Sequence, residues 1–135
     1  MIEFTQRDIL RGKIVEPAWY RVKIESIEKK LSAAGDSTNF VMEGTIIKNA
    51  DNGDTKFAGV PTPAGWNFNT KAVGFMVGYF EAFGVEVAAG SRFDEMQTVG
   101  KELDVYIENG TWENRVVNRI NHKYRKPRTD DTVAA

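Results

Sequence analysis

The sequence predicts an all-β domain with one helix, built as a five-stranded barrel whose helix stands between strands 3 and 4. Three observations predict it. Apolar and polar residues alternate with period two in several separate stretches, the signature of half-buried strands. One window near residues 70–83 instead repeats its apolar residues at helical spacing. Clusters of Gly, Asn, Asp and Pro punctuate the rest as turns.

The first sixteen residues read as a polar N-terminal segment with one helical turn around Gln6 to Leu10, and Pro17 ends it. Tyr20, Val22 and Ile24 then alternate with Arg21, Lys23 and Glu25, which makes strand 1. Ser26 breaks that alternation before Ile27 and Leu31, so a bulge is expected to bend this strand. Ser32 to Ser37 form a loop, and Phe40, Met42, Gly44 and Ile46 alternate along strand 2. Asn49 to Asp54 read as a hairpin turn, because Asn-Gly tolerates the positive φ such turns need. A short strand 3 follows around Lys56 to Val60, stopped by Pro61 and Pro63.

Asn69 or Thr70 can cap a helix that runs to about Phe83, with Gly84 as its stop. Its apolar stripe is Phe75, Met76, Tyr79, Phe80 and Phe83. Residues 85–100 read as irregular. Leu103, Val105 and Ile107 face a core in strand 4, Asn109 to Trp112 turn the chain, and Val116 and Ile120 return to the core in strand 5. Three strands, one helix and two strands is the order of the OB-type barrel. The expected domain spans residues 17–122, and 123–135 form a basic, then polar, tail.

The chain is long enough for one domain with a real core. Without eighteen consecutive apolar residues, a cysteine or a secretory-type start, the expectation is a cytoplasmic protein with no membrane span. The net charge is −1, but its distribution is uneven. From Arg115 to Arg128 no acidic residue occurs, and Arg115, Arg119, Lys123, Arg125, Lys126 and Arg128 make a local positive field. A solvated strand end explains the same run.

Enzyme chemistry finds little support. The one histidine, His122, lies beside Lys123 with no orienting carboxylate near it in sequence. The same counts leave no zinc ligand set, and Asp51 and Asp54 lack the distant glutamate of a calcium loop. No phosphate loop, dinucleotide fingerprint or nucleophile elbow is present. The expectation is a protein that is no enzyme and takes no cofactor or metal.

Single-strand binding needs rings that stack on bases and cations that track phosphates. Candidates are Arg21 and Lys23 on the outward face of strand 1, Lys29 and Lys30 approaching the first loop, and Lys56 on strand 3. Trp66 lies in the loop after strand 3, and the last hairpin carries Tyr106, Trp112 at its tip, Arg115 and Arg119. Each has a plainer reading. Trp112 can plug the barrel end, Trp66 can pack beneath the helix, Tyr106 can pair across strands with Val117, and the arginines can form surface ion pairs.

Three stretches, PAWYRVKIESIEKKLSAAGDSTNFVMEGTII, VGKELDVYIENG and ENRVVNRINHKYR, resemble small phage-encoded OB-fold proteins that bind single-stranded DNA. The shared patterns are Tyr20-Val22-Ile24 before a Ser/Gly loop, and Gly100-Lys101-Leu103-Val105-Ile107 before a final hairpin. The resemblance covers roughly residues 17–125 and implies work beside recombinases, primases or polymerases of DNA replication and recombination. Many such proteins end in an acidic tail that recruits partners, whereas this chain ends TDDTVAA.

The leading expectation is therefore sequence-tolerant binding of single-stranded DNA, with RNA as a rival ligand and homo-oligomers open. A protein-interaction or virion structural module on the same barrel is the alternative.

Overall fold

The computed structural model describes residues 3–63, 66–70, 73–84, 89 and 95–125. In chain order these form α1 (Gln6–Arg11), β1 (Ala18–Leu31), β2 (Thr38–Asn49), β3 (Asn67–Asn69), α2 (Val73–Ala82), a 3-10 turn (Glu95–Thr98), β4 (Glu102–Trp112) and β5 (Arg115–Arg125). Four long strands and the three-residue β3 make one antiparallel sheet in the order β3-β2-β1-β4-β5. The all-β expectation is met. Among the described residues no ladder joins β3 to β5, so the sheet is open along that seam rather than a closed barrel.

β1 organises the sheet because it pairs with β2 from Tyr20 to Leu31 and with β4 from Ala18 to Lys23. Its register shifts between Ile24 and Ser26, at the expected bulge, and again between Arg21 and Val22. Tyr20, Val22 and Ile24 meet Ile46, Leu103, Val105, Ile107 and Ile120 in a single core. Each such side chain taken fully out of water contributes about 1.5–3 kcal/mol.

Gly44 stands opposite Ile24 in the β1–β2 ladder, where the two backbones lie close together. A Cβ there would stand 2.6 Å from the Lys23 carbonyl oxygen, which is backbone and cannot swing aside. Gly44→Ala is therefore expected to cost about 1–3 kcal/mol through overpacking. A lower urea midpoint at unchanged m-value checks this.

The third strand lies elsewhere than expected. Residues 56–59 form a turn, and β3 begins only at Asn67. The cause is Pro61 and Pro63, which lack the N–H a ladder needs. Between them and β2 the pairing is patchwork: Thr62 N–H donates to the Gly44 carbonyl, and the Gly44 N–H donates to the Thr62 hydroxyl at 3.0 Å. The turn at Asn49 is as expected, with the Asn49 side chain accepting from the Asp51 and Asn52 amides and Gly53 at φ 75°.

α2 ends at the expected stop, Gly84, whose φ is 85° and whose N–H donates to the Glu81 carbonyl. Tyr79, Phe80 and Phe83 are buried, and Phe80 meets Phe40 of β2 edge-on. Phe75 and Met76 of the predicted stripe lie outside the described side chains. α2 touches both edge strands, β3 and β5, so it bridges one end of the seam.

The last hairpin turns later than expected. Asn109 to Trp112 are strand residues, and the turn is Glu113-Asn114, with φ 49° and 63°. Two positive φ values define the twist-matched two-residue turn that suits long hairpins. β5 also continues to Arg125, past the expected domain limit, with Tyr124 opposite Val105 and Arg125 opposite Asp104.

The N-terminal segment belongs to the fold. Thr5 caps α1 reciprocally with Asp8, whose carboxyl is held below its ordinary pKa chiefly by the Thr5 backbone N–H. Val15 then enters the core, while Asn118 accepts from its N–H at 3.0 Å and donates to the Lys13 carbonyl at 2.8 Å. Asn109, the cross-strand partner of Asn118, donates to the Val15 carbonyl. Residues 13–15 thus form a strap held by two side-chain amides, and the domain does not begin at residue 17.

Candidate nucleic-acid interface

The open seam is a groove of about 1080 Å³. One wall is β5, which lines it continuously from Arg115 to Asn121. That continuity follows from topology, since among the described residues β5 pairs only with β4 and its other edge carries no ladder. The opposite wall is Pro61, Thr62 and Pro63, with Arg11, Gly12 and Ile14 of the strap beside them. Prolines offer no donors to β5, so this wall does not zip onto it.

Ladder register decides which side chains gather here. Trp112 stands opposite Arg115, Gly110 opposite Val117 and Glu108 opposite Arg119, so these six share one sheet face. Trp112 is 58% exposed, and the Arg115 guanidinium lies over its ring at 6.0 Å from the centroid. Arg119 rests against Gly110. Neither Arg115 nor Arg119 forms an ion pair with a described residue; Glu108 is instead an acceptor for the Asn121 amide at 3.5 Å. Trp112, Arg115 and Arg119 therefore converge on one groove. Exposed Ile14 and Val116 add apolar wall.

Of the remaining candidates, two are corrected. Arg21 is only 4% exposed, and its Nε donates to Asp104 at 3.0 Å, with that carboxylate wholly buried. Arg21 and Asp104 are direct partners in the β1–β4 ladder, so the guanidinium is consumed internally and does not face a phosphate. Trp66 is 3% exposed and packs on Tyr79 at 6.4 Å, which makes it part of the groove floor and not an open stacking platform.

Tyr106 lies on the same hairpin face as Trp112, but it is half-buried, meets Trp19 edge-on at 5.7 Å and does not line the groove. Its cross-strand partner is Asn121, not Val117. Lys23 is exposed on β1 between Thr45 and Glu102. Lys29 and Lys30 occupy the far end of β1, near Glu95 and Glu28 at 3.4 and 3.9 Å. Lys56 sits 3.5 Å from Glu16 and over the Phe57 ring. These four lysines do not reach the groove.

Sequence reasoning missed Arg11, Ile14 and Gly110, because the strap looked like a separate segment and Gly110 like a turn residue. Arg11 and Arg7 both hold Glu43 of β2, at 2.7 and 3.0 Å, and the Arg11 hydrogen bond is the chief cause that keeps Glu43 below its ordinary pKa. No protein-family model matches this chain, and no curated protein sequence matches it.

Proposed function

We propose that this chain is an OB-type barrel that binds single-stranded DNA, without strong sequence preference, along the seam between β5 and Pro61–Pro63. One observation carries the reading: an exposed indole and two arginines without ion pairs to described residues share a single long groove. Trp112 would stack on a base while Arg115 and Arg119 neutralise phosphates. A duplex hides its base faces, so stacking favours the single strand. The strand-pattern resemblance to phage-encoded single-strand binders supports the same reading and suggests a role in replication or recombination.

The bare edge of β5 favours a second reading, the docking of an extended protein segment by strand addition. Titrating a fluorescent oligothymidylate, with single-stranded RNA and duplex DNA alongside, separates the readings. Binding that prefers the single strand and falls steeply with salt is expected. Absence of binding at low salt, or equal binding to duplex, would refute single-strand recognition.

A further inference from the structure

Gly110 sits in the interior of an eleven-residue strand, where glycine normally weakens the ladder and often signals a close approach by another group. Its φ is not in the left-handed region, so backbone conformation does not call for it. What approaches is Arg119. A Cβ on residue 110 would stand 3.0 Å from Arg119 Cζ, 3.1 Å from Nε and 3.3 Å from Nη2. Cζ being nearest is informative. An edge-on guanidinium would place its carbon behind the two nitrogens, so the Cβ position must lie over the face of the group. Arg119 therefore lies flat on β4 at the one residue with no side chain.

We propose that Gly110 is a positioning residue for nucleic-acid binding, which keeps the Arg119 guanidinium flat across β4 beside Trp112. This rests on the single-strand reading of the groove. One face of the guanidinium lies on Gly110, which leaves the opposite face for a base and the N–H edge for phosphate oxygens. Trp112 is two strand residues away on the same sheet face, about 7 Å along β4. The two groups therefore lie side by side on one face of β4, where a single strand crossing the groove can meet both. Arg119 forms no ion pair with a described residue, so its charge is available to such a ligand.

The test uses the full chain and a fluorescent oligothymidylate. Gly110→Val fills the resting place with a branched side chain that strands favour, so stability is expected to hold or rise. Affinity should nevertheless fall about tenfold, and the log–log salt slope should drop by about one, as in Arg119→Gln. Gly110→Ala should fall between valine and wild type. The double variant Gly110→Val/Arg119→Gln should bind no worse than Arg119→Gln alone. A purely structural glycine would give lost stability and additive binding losses instead, which would overturn the proposal. Wild-type affinity and slope in Gly110→Val would also overturn it while leaving single-strand binding intact. A wild-type protein that binds no oligonucleotide would remove both.

Discussion

Trp112→Ala is expected to weaken oligothymidylate binding by about 1–3 kcal/mol, the usual worth of one stacked base. The same change should leave folding stability almost untouched. Trp112 is more than half exposed and ends β4 beside the Glu113-Asn114 turn, so truncating it opens no cavity in the core. Arg115→Gln should lower the salt slope by about one, because one fewer phosphate is neutralised. Fluorescence anisotropy across a salt series checks both effects, and thermal melts check the fold. Full affinity in Trp112→Ala would mean that the indole is not a platform for bases.

Asp104→Ala is expected to cost about 3–5 kcal/mol of folding stability, because it leaves the Arg21 guanidinium buried without this carboxylate. Arg21 and Asp104 are 4% and 0% exposed and meet through Nε–Oδ1 at 3.0 Å and Nη2–Oδ2 at 3.5 Å. Taking both charges out of water is itself expensive, so the intact pair adds little net stability. The double variant Arg21→Met/Asp104→Leu should therefore be less damaged than the sum of its singles. Urea unfolding of the four proteins gives the coupling directly. Equal, additive and small losses would show that the pair is solvated in solution. Oligonucleotide binding by any variant that stays folded should be unchanged, since neither residue lines the groove.

The sheet was legible wherever a strand has one dry face. Tyr20-Val22-Ile24 and Leu103-Val105-Ile107 reveal β1 and β4 by alternation alone, and Gly84 marks the end of α2 through local backbone chemistry. Properties set by distant partners were not legible. Arg21 alternates with core residues and so reads as outward, yet the ladder places Asp104 against it from 83 residues away. The Asn109-Gly110 pair is the stronger turn signal, and it hid the real turn at Glu113-Asn114, where a glutamate adopts a positive φ that few would assign to it. Of the candidate site, the Arg115, Arg119 and Trp112 trio was readable because all three lie near the tip of one hairpin. Lys23, Lys29, Lys30 and Lys56 suit the site by strand face and loop position, but neither property tells which end of a strand reaches the groove.

The strap has a consequence for how the chain reaches this state. Val15 and Lys13 are tied to Asn109 and Asn118 across sequence separations of 94, 103 and 105 residues. Closing so large a loop costs entropy, and the strap's tethers exist only once Asn109 and Asn118 are paired in the β4–β5 hairpin, so the strap is expected to dock after that hairpin forms. A fragment that stops short of β4 would leave Val15 without its apolar cavity and the peptide groups around it without their amide tethers.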